Sequence, residues 1–477
     1  MQLQYYWFCS GHYVCNEIDG SQTFKQLTFW TWSGVDLFFV LSGFLIGRIL
    51  INSKGSKNYF KKFYVRRFFR IFPAYYLILL AFAILLFSGL SSHFPELTYA
   101  PYPFYSYLFY LQNFWMAYTS YLGPSWLDST WSLAVEEQFY LILPLLIFLV
   151  SPKNLPRLLI FGIVLAPICR SLIFPDLGLY VLLPARMDSL LIGVLIAHYH
   201  LKGTLKKKLN NKETPLSFLL AICFIVLLIC GKITGYPGCG AALLHSILMV
   251  FYGLLLVIVL IANTKSYFIR FLSNPVMSFI ARISFMIYLT HQIFNQLLHQ
   301  MILHTTLPGM TNFNGVLVTL LSLITTLLFS TISYYSFESP MLNIGKKYNG
   351  EKIKEFSLIV TGALIVYAIM LYVISLKWKY NESYYQSRKY CDKGIVDKNS
   401  GNQGPAKIEF EEAVELNPQN SLASNYLGLI YLDKAQYDSA SHYFIMSCTS
   451  DSLHYGTLMN ISISYAAEKN YAVATIC

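Results

Sequence analysis

SGVDLFFVLSGFLIGRILINSKGSKNYFKKFYVRRFFRIFPAYY, running from Ser33 to Tyr76, decides how the rest of the chain is read. It joins an apolar run carrying one acidic residue, Asp36, to a dense basic stretch and then to a second apolar run. Lys54, Lys57, Lys61, Lys62, Arg66, Arg67 and Arg70 crowd what reads as a short loop between two segments of membrane-spanning length. Lys and Arg concentrate in the cytoplasmic connections of membrane proteins. The loop is therefore predicted on the cytoplasmic side, and the remaining segments can be oriented from it.

Composition points the same way. The 477 residues are 55% hydrophobic and only 12% charged, with mean hydropathy +0.49, far more apolar than a water-soluble fold of this length requires. The chain reads as all-α, a polytopic bundle of membrane-crossing helices. A formal charge of +11 would suit nucleic acid, but the cations lie mostly in short loops between apolar runs, as topology demands. That argues against nucleic-acid binding. Nine cysteines fall singly, with no CxxC or Cys/His spacing, so neither a metal site nor a disulfide framework is predicted.

Apolar runs occupy residues 32–50, 73–90, 138–151, 156–174, 178–200, 215–231, 241–263, 279–300, 314–336 and 357–376. Tyr5 to Cys15 is a further one, shorter than the roughly 20 residues a crossing needs. The prediction is about eleven crossings with the first incomplete. Basic residues fill 51–70, Lys153 and Arg157, Lys202 to Lys212, Lys265 to Arg282 and Lys346 to Lys354, whereas 91–137 and 283–345 have none. This alternation supports the segmentation. It divides the chain into a membrane domain at 1–345, a cytoplasmic loop and last crossing at 346–376, and an extracytoplasmic region at 377–477.

The last region is polar and periodic. Taking Leu427, Gly428, Tyr431, Ala440 and Phe444 as one unit, a shift of 34 residues meets Gly394, Ala406 and Phe410 upstream, and Ile461, Tyr465 and Ala474 downstream. The pattern resembles tetratricopeptide repeats, paired helices that offer a surface to a protein partner. An ordinary amphipathic helical tail is the alternative. The incomplete third unit and the short first crossing lead to the expectation that both ends of the chain lack residues.

Within the membrane, ionisable residues carry the functional signal, because they are costly there unless paired or facing water. The motifs GVDLFFVLSGFLI and RIFPAYY, followed by Trp131-Ser132-Leu133-Ala134-Val135-Glu136-Glu137-Gln138-Phe139-Tyr140, resemble membrane acyltransferase family 3, the bacterial O-acyltransferases. The likeness covers roughly residues 5 to 345. It implies a multi-pass enzyme of the bacterial plasma membrane that moves an acyl group, acetyl above all, from cytoplasmic acyl-CoA to a hydroxyl of a glycan or lipid-linked saccharide. No permanently bound cofactor is expected.

By the same resemblance His12 occupies the place of the histidine in an Arg-x10-His motif, whose arginine would fall on Met1. An imidazole titrating near neutrality suits deprotonation of a hydroxyl; an interfacial histidine without a partner is the alternative. Asp36 either orients that histidine or holds its own helix. Glu136 is the motif carboxylate, with helix capping as its alternative. Arg66, Arg67 and Arg70 share one helix face by i+3 and i+4 spacing, and guanidinium forks bind phosphate oxygens. The resemblance assigns them to the acyl donor, against a simple anchoring role. Arg186 in PARMD is expected to meet donor phosphate or an acidic partner. For His291 and Glu338, structural hydrogen bonding is expected. No GxSxG elbow surrounds Ser42, so no covalent serine mechanism is read there. A secondary transporter, or a membrane-anchored repeat scaffold, are the competing readings.

Overall fold

The structure, a computed structural model, describes residues 33–87, 103–119, 122–124, 126–172, 177–209, 212–233, 239–263, 266–303, 310, 313–347, 382–399, 401–418 and 420–450. His12, the first apolar run and the run at 357–376 lie outside the described residues. The described residues form helices and their connections, with no β-strand among them. The chain divides into two compact units, Met1–Trp378 and Lys379–Cys477.

In the first unit the long helices are α1 (Gly34–Ser53), α2 (Tyr59–Phe87), α3 (Trp131–Leu149), α4 (Leu155–Leu172), α5 (Leu183–Leu201), α6 (Glu213–Ile233), α7 (Cys239–Ile261), α8 (Pro275–Leu303) and α9 (Phe313–Ser333). Among the described residues eight helices are long and apolar enough to cross a membrane, and α6 contains a shorter apolar stretch. Leu141, Ile142, Leu145, Phe148 and Leu149 on α3 stay exposed. An outward apolar surface suits a bundle whose solvent is lipid rather than water.

Two expected loops are helical. The cations Lys61 to Arg70 lie within α2 rather than in a loop, and only residues 54–58 connect α1 to α2. The reason is periodic: Tyr59, Phe63 and Phe69 are buried on one side while Lys61, Lys62, Arg66 and Arg70 stay exposed, an amphipathic pattern that extends the helix beyond its apolar core. Likewise α8 begins at Pro275, so Arg282 sits inside it. Asn274 Oδ1 accepts from the Met277 N–H at 2.9 Å, capping the helix start, and proline suits the first helical position.

α1 and α5 pack through glycine. A Cβ on Gly43 would lie 1.9 Å from the Leu190 carbonyl oxygen, and one on Gly193 would lie 2.2 Å from the Val40 carbonyl oxygen. Gly47 faces Val194 in the same seam. Hydrophobic driving force is weak between helices in lipid, so close backbone approach through small residues takes over. Gly193→Leu should abolish the monodisperse folded peak in detergent size-exclusion chromatography. An unchanged peak would show that the seam tolerates a side chain.

The second unit contains α10 (Glu382–Asn399), α11 (Gln403–Leu416), α12 (Ser421–Asp433) and α13 (Tyr437–Ser450). Ala406, Phe410, Ala413, Ala423, Leu427 and Ile430 form its core. A Cβ on Gly394 would meet the Phe410 ring at 2.8 Å, and one on Gly428 would meet the Phe444 ring at 2.4 Å. The same glycine-to-phenylalanine contact thus recurs at two places in the unit.

Candidate active site

The polar residues of the first unit gather in layers. In the first, Asp36 near the start of α1 is fully buried, and its Oδ1 accepts from Arg186 Nη2 of α5 at 2.9 Å and from Ser189 Oγ at 3.2 Å. His245 of α7 lies against both, with Nδ1 3.8 Å from Asp36 Oδ2 and in contact with Arg186 Nη1. The guanidinium is walled by the rings of Phe39, Trp131 and Tyr180, at 5.7, 5.9 and 5.4 Å. These π faces add attraction to a desolvated cation.

A second ion pair lies beside the first. Arg170 of α4 grips Asp188 with both nitrogens, Nη1 to Oδ1 at 3.1 Å and Nη2 to Oδ2 at 2.8 Å. Arg170 also donates to Ser246 Oγ at 2.6 Å and to the Ala185 carbonyl at 2.5 Å. Arg186 and Asp188 therefore leave α5 two residues apart and find partners on different helices. Each buried charge has an opposite charge, the condition on which burial of ions is tolerable.

The next layer lies deeper along α1. Ser42 Oγ is 2.5 Å from Tyr140 OH of α3, and that hydroxyl donates to Glu136 Oε1 at 3.0 Å. With Tyr140 donating to the carboxylate, the Ser42 hydroxyl donates to Tyr140. The Arg67 guanidinium of α2 lies 5.2 Å from the centre of the Tyr140 ring, and its charge acts on Glu136. Glu136 is buried and Glu137 only half-buried, as expected for neighbours on a helix. Arg66 and Arg70 are exposed, while Arg67 turns inward. Arg70 is close enough to Glu338 for their charges to interact. Glu338 ends a π-helical turn, Tyr334–Glu338; such turns are frequent at functional sites.

His291 Nδ1 lies 2.8 Å from the Tyr288 carbonyl of its own helix, and Tyr288 OH donates to the Ser129 carbonyl at 2.7 Å and also contacts Ser132 Oγ. The structure thus joins Asp36 to Arg186 directly, and brings Glu136 and Arg67 to the same tyrosine, Tyr140. Of the two partners expected of Arg186, the acidic one is present. His245 and Arg170 escaped the sequence reading, although an ionisable residue inside an apolar run was the available signal, and Tyr140 was named there only as part of a motif, with no role of its own. Among the described residues no three His, Cys, Asp or Glu side chains converge to hold a metal ion.

A model of the acyltransferase domain family matches residues 9–335, which include both layers apart from Glu338. The chain belongs to this family. The chain is 26% identical over 371 residues to the O-acetyltransferase OatA of Staphylococcus aureus, an alignment covering 73% of this chain and 58% of that protein. It is 41% identical over 137 residues to the peptidoglycan O-acetyltransferase OatA of Listeria monocytogenes, covering 27% of this chain and 21% of that protein. The chain thus spans rather less than two thirds of the length of the curated relatives it matches. No solved structure matches it.

Proposed function

We propose that the acyltransferase domain is an integral membrane O-acyltransferase of the bacterial plasma membrane. It moves an acyl group, acetyl above all, from cytoplasmic acyl-CoA to a hydroxyl of a cell-envelope or exported glycan. The observation that carries the reading is the hydrogen-bonded series Ser42, Tyr140 and Glu136, overlaid by Arg67 inside an apolar bundle. Polar groups are retained at membrane depth when chemistry needs them. The names of the relatives support acetyl and a glycan as donor group and acceptor.

In this reading His12 takes the proton of the acceptor hydroxyl as its oxygen attacks the thioester carbonyl. A C–O bond forms, the C–S bond breaks, and the departing coenzyme A sulfur takes up the proton. Arg66, Arg67 and Arg70 hold the donor phosphates on the side of the basic connections, where Arg66 and Arg70 are exposed. Asp36 and Arg186 form a fixed charged brace beneath the acceptor side. The second unit, with its recurring glycine-to-phenylalanine contact, acts outside the cytoplasm as a tetratricopeptide-like surface for a protein partner.

Membranes containing the full chain, given acetyl-CoA labelled in the acetyl group and cell-wall glycan, should place base-labile label on the glycan. No label above membranes lacking the chain would overturn the reading. Arg70→Ala should weaken acyl-CoA binding by about 1.5–3 kcal/mol, the worth of a charged hydrogen bond, in titration calorimetry. Unchanged affinity would return the arginine cluster to an anchoring role.

A further inference from the structure

Away from both polar layers, a cavity of about 280 Å³ lies where four helix ends meet. Ile51 and Lys54 at the end of α1, Ile147 and Val150 at the end of α3, Leu155 at the start of α4 and His198 near the end of α5 line it. These ends belong to the side of the chain that carries the basic connections, with Lys153, Arg157 and Lys202 in the adjoining turns.

Two of its groups have hydrogen-bonding capacity to spare. Lys54 Nζ donates to the Ile147 and Val150 carbonyls at 2.7 and 2.6 Å, which fixes the ammonium at the cavity wall and leaves its third N–H. His198 is 2% exposed, yet its Nε2 has no hydrogen-bond partner among the described residues. A buried polar nitrogen without a partner is rare enough to ask for one. The remaining walls are aliphatic.

An ammonium and an imidazole N–H beside aliphatic walls, at the level where a helix bundle meets the lipid headgroups, suit a ligand that is anionic at one end and apolar at the other. Basic pockets between transmembrane helices on the cytoplasmic side take anionic lipid headgroups in this way. We propose that the cavity binds the phosphate headgroup of an anionic phospholipid from the cytoplasmic leaflet. Lys54 Nζ and His198 Nε2 donate to the phosphate oxygens, and Ile51, Ile147 and Val150 cover the glycerol shoulder. The lipid would tie α1, α3, α4 and α5 together at the end opposite the Asp36–Arg186 brace.

The test uses the full chain in nanodiscs of phosphatidylcholine with a minor share of phosphatidylglycerol, followed by native mass spectrometry of the lipid retained after extraction into detergent. Phosphatidylglycerol should be retained in preference to phosphatidylcholine. His198→Leu should lower that preference about tenfold, the factor one charge-assisted hydrogen bond supplies. Ile51→Trp, which fills the cavity while leaving both Lys54 and His198 in place, should lower it as well. It serves as the deciding variant if His198→Leu does not fold. Equal retention of the two lipids, or retention unchanged in both variants, overturns the proposal. Displacement of the lipid by inorganic phosphate or coenzyme A would overturn it in favour of a soluble phosphate. The readout is bound lipid, so its failure is independent of whether the chain transfers acyl groups.

Discussion

Asp36→Ala should lower the stability of the first unit by about 3–5 kcal/mol, the usual cost of leaving one member of a buried ion pair without its partner. The carboxylate removed is fully buried, and Arg186 Nη2 loses its acceptor at 2.9 Å while the rings of Phe39, Trp131 and Tyr180 still shut out water. Denaturant titration in detergent, followed by tryptophan fluorescence, measures the change. The informative comparison is Asp36→Ala with Arg186→Met, because replacing both members by apolar groups is often neutral or stabilising. A double variant as unstable as the single one would mean that the pair contributes through something other than charge complementarity.

The other large effect is on rate. His12→Ala in the full chain should lower acyl transfer by about 10²–10⁴-fold, the contribution of a positioned general base, with acyl-CoA affinity unchanged. Single-turnover transfer of labelled acetyl to glycan, beside calorimetric donor binding, separates the two quantities. Full transfer by the variant would put the base elsewhere. His245 would then be the next histidine to test, because it already touches Asp36 and Arg186.

Much of the architecture was legible in the chain because a bilayer imposes a simple code. Crossings need length and apolarity, and the connections on one side need cations. The eight long apolar helices of the described residues fall on the expected runs. Helix ends were less legible: α2 and α8 start earlier than hydropathy suggests, because amphipathic turns and a capping Asn274 extend them into basic sequence.

The site was legible by residue but not by pairing. Asp36 and Arg186 stood out as charges inside apolar runs, yet they are 150 positions apart, and nothing local says that they meet. Arg170 carried the same signal and was passed over near the end of its run, where a cation can pass for an interfacial anchor. Ser42 was read only as a serine without the surroundings of a covalent nucleophile. Its hydrogen bond to Tyr140 depends on how α1 lies against α3, which no spacing along either helix encodes.

The glycine seam between α1 and α5 bears on which length changes this chain can accept. Asp36 and Gly43 lie two turns apart on α1, and Arg186 and Gly193 lie two turns apart on α5. The ion pair and the backbone contact are therefore a double key cut to one spacing. Inserting or deleting one residue between either pair turns everything beyond it by about 100°. If the charges still met, a residue bearing a Cβ would stand where a glycine now meets a backbone carbonyl; if the glycine stayed in place, Asp36 and Arg186 would no longer face each other. Substitutions at Leu37, Leu41 or Leu45 should drift freely among homologous chains, whereas the intervals from 36 to 43 and from 186 to 193 should remain free of gaps.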